Sequence, residues 1–401
     1  VRPKDVRDIA KAGPAAIPKL QDLLKNPNVD VRVEAVKQIT SIGTQRSLDP
    51  LIEATRDADA EVEIRATDGL VNFYLPGYVQ TGIGASLKRV GTGIKGHFTD
   101  TNDQVIPPFV VVRPEVIAAL GTLARGNGSV DVQANAARAL GILRAKAAVD
   151  DLIQAAHSKS TEVIYESLTA LQKIRDESAA PRITFLLHDL DPKVQVAAIE
   201  TTGLLLNKSA VPELIGVMNH TRDAHVRRAA LEAISMLPLE SSRPIYAQYL
   251  NDKDENMRAA AAEGFARLKN PSDLPTIQTA WQNEGKTSPR LSLAFAMVML
   301  GKTELSEFSP LQYLINTFDS SSYKGIALPF LVESARNENV LHSLYKPMEN
   351  GTKFEKIGLL QVLARSGDQS SIAEAQKLTN DPDNDVDQEA LRTVRTLQAR
   401  F

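Results

Sequence analysis

A small apolar residue flanked by Asp, Glu, Arg or Gln returns at Val31, Val62, Val132, Val163, Val194, Val226 and Met257, at steps of 31, 70, 31, 31, 32 and 31 along the chain. The long step is one period of 31 plus a further 39, the segment Tyr74 to Val112. A fixed period of this length means supersecondary units stacked in a row, each too small to bury its own apolar stripe. The 401 residues would otherwise suggest two or three globular domains. The repeat overrides that expectation, because an array grows by adding units to one continuous core.

The first clear unit sets the grammar. Ile17, Leu20 and Leu24 share a helical face. Lys25-Asn26-Pro27-Asn28 is a turn that proline closes to further helix. Asp30 is expected at the N-cap of a second helix. Val31, Ala35, Val36, Ile39 and Ile42 then line one face, and Gly43 ends the unit in a C-cap. The same order recurs through Leu268, with further second helices expected near Leu291, Tyr323, Phe354 and Val386. The spacing predicts an all-α, right-handed α-solenoid of about eleven helix-pair repeats. Its expected divisions are N-terminal repeats (1–73), the insert (74–112), central repeats (113–284) and divergent C-terminal repeats (285–401), with residues 1–12 and Arg400-Phe401 as end caps.

Ala210-Val211-Pro212-Glu213-Leu214-Ile215 followed by Asp223-Ala224-His225-Val226-Arg227-Arg228-Ala229-Ala230, together with Asp30-Val31-Arg32, resembles the short HEAT-like repeats of the phycobilisome-lyase type. The resemblance covers the chain except the insert. It implies an α-solenoid and a role as a scaffold or protein-binding platform, since most members have that role. A few members are lyases acting on bilin pigments, and related helical arrays include DNA glycosylases, but no active-site motif of either kind stands in this sequence.

The insert breaks the helical grammar with six glycines and three prolines between Tyr74 and Val112, and a loop of that length within a compact array points to function. It holds the aromatics Tyr74, Tyr78, Phe98 and Phe109. Ile83, Leu87, Val90, Ile94 and Phe98 form a helical stripe, with Lys88, Arg89 and Lys95 beside it. Such a basic amphipathic segment packs back on the array, enters a partner's groove or lies on a membrane surface. Val110-Val111-Val112 reads as a short strand or an extended cover.

Other motifs resolve to structural readings. Gly91-Thr92-Gly93-Ile94-Lys95-Gly96 matches a dinucleotide-loop spacing but follows no strand. Asp381, Asp383, Asp385, Asp387 and Glu389 alternate like a calcium loop, yet Val386 and Arg392 stand where glycine and glutamate are needed. They read instead as helix-capping acids, as do the pairs Asp57/Asp59, Asp189/Asp191 and Asp252/Asp254. His220, Asp223 and His225 share a turn without a zinc spacing. Arg32, Arg65, Arg227 and Arg258 fall early in successive second helices, which predicts a ladder to turn acids of neighbouring units; the functional alternative is a basic stripe for an acidic partner.

Forty-six basic against 49 acidic residues disfavours a nucleic-acid partner, and the absence of cysteine removes thiolate chemistry. No apolar run is long enough to cross a membrane. The start at Val1 tilts the expectation towards export over the cytoplasm. The reading that follows is a non-enzymatic scaffold or complex subunit binding another protein, without cofactor or metal, through the concave solenoid face and the 74–112 insert, by way of Tyr74, Tyr78, Lys88, Arg89, Lys95, Phe98, Phe109, Arg32 and Arg65. One alternative is a lyase-like or other enzyme on the same fold, which His97, Asp100 and Asp103 facing an arginine would favour; another is a self-assembling structural protein.

Overall fold

The computed structural model describes residues 1–79 and 104–401, and all regular structure among them is helical. These residues divide into two compact units, the first holding 1–79, 104–106 and 110–205, the second 107–109 and 206–401.

In the first unit, α1 (Pro3–Ala10) lies on the first pair and covers its end with Val6, which is fully buried. The pairs are α2 (Ile17–Leu23) with α3 (Val29–Ile42), α4 (Leu48–Ala54) with α5 (Ala60–Tyr74), α6 (Pro114–Arg125) with α7 (Val130–Ile142), and α8 (Val149–Ala155) with α9 (Thr161–Ile174). The fifth pair ends the unit with α10 (Pro192–Leu204). In place of the first helix that the repeat puts before the Asp189–Pro192 turn stand two 3-10 turns, Glu177–Arg182 and Thr184–Leu186. Ile183, Thr184 and Phe185 stand there in a row, β-branched and aromatic residues that lose side-chain freedom in a helix.

The second unit holds α11 (Val211–His220) with α12 (Ala224–Met236), α13 (Arg243–Tyr249) with α14 (Glu255–Leu268), α15 (Leu274–Asn283) with α16 (Thr287–Met299), and α17 (Pro310–Asn316) with α18 (Lys324–Ser334). In the tenth pair the first helix is split into α19 (Glu338–Ser343) and α20 (Tyr345–Asn350), of which α20 packs on α21 (Lys353–Ser366). The last pair is α22 (Ser370–Gln376) with α23 (Asn384–Arg400). The described residues thus carry the eleven pairs that the period predicts.

Within each unit the second helices pack on one another in sequence: α3 on α5, α5 on α7, α7 on α9 and α9 on α10, then α12 on α14 and α14 on α16. Small residues set that spacing. A Cβ placed on Gly141 of α7 would meet the Ala170 Cα of α9 at 2.7 Å, so only glycine allows this approach.

The turns repeat one device. Asp59, Asp191, Asp223, Asp254 and Asp383 each accept hydrogen bonds from the first free N–H groups of the following helix. Asp57, Asp189, Asp252 and Asp381 in turn accept from the backbone N–H of the capping residue two positions on. At the first pair the N-cap is Asn28 rather than Asp30, because the Asn28 side chain accepts from the Asp30 N–H and starts the helix two residues earlier. Gly43 closes α3 in the left-handed region at φ 57°, as expected.

Candidate protein-interaction face

The early arginines of the second helices pair with acids and turn carbonyls. Arg32 makes two bonds to Asp57 of the next turn, at 2.8 and 2.9 Å, and also donates to the Asn26 carbonyl of its own turn. Arg258 repeats both contacts with Glu284 and the Asp252 carbonyl. In the sixth pair the work is divided: Arg227 donates to Thr221 O and Arg228 reaches Asp254 at 2.6 Å. Lys356 makes the same forward step to Asp381 at 2.9 Å. Arg65 departs from the ladder, pairing with Glu61 one turn back in its own helix. The residue in ladder register there is Glu63, whose carboxyl is raised by burial and by Asp57 and Asp59.

The functional candidates lie further along the same helices. Six residues after the repeat anchor stand Asp68, Arg138, Glu200, Glu232 and Glu263 on the layer where second helix meets second helix. In the first unit they build a polar seam. The Asn135 amide donates to Asp68 at 3.1 Å, and Arg138 donates to Glu166 at 2.7 Å. Tyr78 faces this group, and burial, helped by Asp68, pushes its hydroxyl up to about 12. Lys173, 8% exposed, is pushed down to about 8 by burial, against the attraction of Glu166. Burial pushes Glu200 up to about 7, offset only in part by the Gln172 amide. Gln172 itself donates to Thr201 and to the Ala197 carbonyl. Lys193 stands 4.0 Å from the centre of the Tyr165 ring.

The second unit has its own seam. Arg267, its side chain 12% exposed, donates to both oxygens of Glu333 at 3.0 to 3.2 Å, with Glu263 3.6 Å away. Ser292 donates to Glu263 at 2.9 Å. The Arg267 guanidinium lies 5.4 Å from the Phe295 ring, which stacks on Phe330 at 4.5 Å. The difference between the two seams is satisfaction. Arg267 has two carboxylates, whereas burial moves Lys173 and Glu200 towards their neutral forms.

Of the residues read from the sequence, Tyr78 joins the seam. Tyr74 is half-buried, packs edge-on against Phe73 at 4.9 Å, and its hydroxyl accepts from the Arg113 N–H at 3.1 Å. Arg113 also reaches Asp49 at 2.6 Å, and the Ile106 N–H donates to the Ile142 carbonyl at 2.9 Å. The described ends of the insert are therefore tied to the repeats on both sides. Phe109 groups with the second unit, where the Arg395 guanidinium stands 4.3 Å from its ring centre. Val110 to Val112 form no strand. Lys88, Arg89, Lys95 and Phe98, the apolar stripe around them, the glycine motif at 91–96, and His97, Asp100 and Asp103 all lie outside the described residues.

The His220 ring bonds the Gly216 carbonyl at 2.7 Å and Asp223 caps α12, so that turn is a helix cap. The calcium-like acids at 381–385 are held by Lys356 and Lys353 and cap α23. The sequence reading missed the seam, although a charge six residues past the anchor at Asp68, Arg138, Glu200, Glu232 and Glu263 is a signal a period-based reading can pick up.

A family model for HEAT repeats matches residues 6–71, 117–184 and 179–245. The chain is a HEAT-like repeat protein. Importin-β of yeast is similar in structure to this HEAT-like protein at a TM-score of 0.58, with 10% identity over 98% of this chain and 58% of that chain; the likeness shows the fold, an α-solenoid. Other similar structures are the CpcE–CpcF complex of phycocyanin lyase from Nostoc sp. PCC7120 (17% identity, 68% of this chain, 94% of that chain, TM-score 0.41) and an engineered protein (17%, 95%, 98% and 0.39). No curated protein sequence matches the chain. A HEAT solenoid is an architecture suited to protein-interaction scaffolds, because stacked repeats offer a long continuous surface. Among the described residues no helix is long and apolar enough to cross a membrane.

Proposed function

We propose that the protein is a non-enzymatic scaffold that binds another protein along the second-helix face of its first unit, with the insert at 74–112 supplying specificity. The observation that carries this reading is the pair Lys173 and Glu200. Lys173 is buried and Glu200 half-buried, and desolvation shifts each towards its neutral form. A partner presenting an acid to Lys173 and a base to Glu200 would restore both charges, and desolvated charge pairs of this kind fix register and specificity at interfaces. Tyr78 sits in the same seam, at the edge of the insert, and aromatic anchors of this kind dominate binding energy.

The test is co-purification from the native source of the intact protein, of a version with residues 75–111 replaced by a short Gly/Ser turn, and of a Lys173→Met/Glu200→Gln variant. Each first has to show an intact helical melt. A stoichiometric partner retained by the intact chain and lost from both altered forms is the expected result. Retention by both would sink the assignment of the face and the insert, and no stoichiometric partner for the intact chain would sink the scaffold reading.

A further inference from the structure

Glu338 and His342 stand one turn apart on α19, and Asp368 approaches them from the residues that open α22 in the following pair. One ligand atom from each lies within 4.8 Å of the others, and among the described residues this is the group whose His and carboxylate atoms converge in that way. The His342 Nε2 is 2.8 Å from the Asp368 Oδ2. The other oxygen of Asp368 is engaged: Oδ1 accepts from the Ser370 hydroxyl at 2.6 Å, the Ser371 N–H at 3.1 Å and the Tyr345 hydroxyl at 3.3 Å. That arrangement aims Oδ2 at the imidazole. Outer hydrogen bonds of this kind orient first ligands in metal sites.

A hydrolytic triad does not fit these atoms. Ser370 Oγ lies 3.4 Å from the same Nε2 that meets Asp368, whereas a relay needs the serine and the acid on opposite ring nitrogens. A plain His–Asp ion pair accounts for two members and leaves the Glu338 carboxylate as a second negative group beside the first. A divalent cation accounts for all three.

We propose that Glu338, His342 and Asp368 form a binding site for a divalent transition-metal ion of the zinc class, joining the tenth and eleventh helix pairs. One imidazole with two carboxylates suits zinc-type ions, with the remaining coordination positions open to water. The sequence carries the helical half of the site as Glu-x-x-x-His, whereas Asp368 comes from the next helix pair, at a separation from His342 that no local motif encodes.

The test uses the full chain, free of any tag and stripped of metal with chelator. Calorimetric titration with Zn²⁺ is expected to give one saturable equivalent, with His342→Ala weakening it at least tenfold and Glu338→Gln several-fold. His225→Ala should leave it unchanged. Competing Ca²⁺ or Mg²⁺ at equal concentration should not displace the zinc. A nitrogen-detected NMR spectrum of the imidazoles gives a readout that needs no variant: Zn²⁺ should shift the His342 ring nitrogens first. Absence of a saturable equivalent, equal affinity in His342→Ala, or a first shift on another histidine would overturn the proposal.

Discussion

At the residue scale the strongest constraint is the buried charge. Arg267 is placed where three second helices meet, and it serves Glu333, Glu263 and the Ser235 carbonyl at once. Removing one member of such a group leaves the others desolvated and unpaired, at a cost far above that of a surface ion pair. Arg267→Ala is therefore expected to destabilise the chain by about 3–5 kcal/mol in a urea melt, and the double change Arg267→Met/Glu333→Leu by clearly less. Equal losses in the two would show that packing of the arginine stem, rather than its charge, carries the effect. None of this was visible in the sequence, because Arg267 and Glu333 are 66 residues apart and meet only when two periods have been stacked.

At the scale of the element, α9 and α10 make a pH prediction. Glu200 rises from 4.5 to about 7, so the folded state holds its proton more tightly than the unfolded chain does. The associated stability is complete below the ordinary carboxylate range and is lost as pH rises through 7. Lys173 falls from 10.5 to about 8, so the folded state binds its proton less tightly, and stability is regained as pH rises from 8 towards 10.5. Both costs are present together between pH 7 and 8. Glu200→Gln should raise the melting temperature at pH 8 and leave it unchanged near pH 4, and Lys173→Met should help more at pH 7 than at pH 11. Each gain is roughly 1–3 kcal/mol, and a gain independent of pH would refute the assignment. The elements themselves were legible. Apolar periodicity, turn acids and Gly43 place nearly every helix, since those signals are local. The first helix of the fifth pair was not, because Ile183-Thr184-Phe185 has a helical pattern but weak helical propensity. The candidate site was legible only at Tyr78; its charges depend on which neighbour each helix meets.

At the scale of the whole molecule, stability in a stack is largely local, because each pair packs mainly on its neighbours, the Arg267–Glu333 contact across two periods being an exception. Leu140→Ala, at a fully buried position of α7, should cost about 2–5 kcal/mol. Hydrogen exchange should quicken from α6 to α9 while α14 and α16 keep their protection; uniform quickening would mean that the array unfolds as a single cooperative block. The forward reach of the ladder adds a different consequence. Arg32, Arg228, Arg258 and Lys356 each hand a cation to the turn of the following pair, so every joint of this kind is made from one donor behind and one acceptor ahead. The sixth and seventh pairs carry both halves, Arg228 with Asp223 in its own turn and Arg258 with Asp254, so a tandem copy of either brings donor and turn acid to its own duplicate, which gives the gene a simple way to lengthen. Other joints lack the device: Glu63 holds the donor's place in α5, where the turn ahead, Gly126 to Ser129, offers no acid, and Gln133, Ile164 and Gln195 hold it in α7, α9 and α10. The insert departs at one of these unsealed joints, so the foreign sequence interrupts no forward ion pair of the ladder.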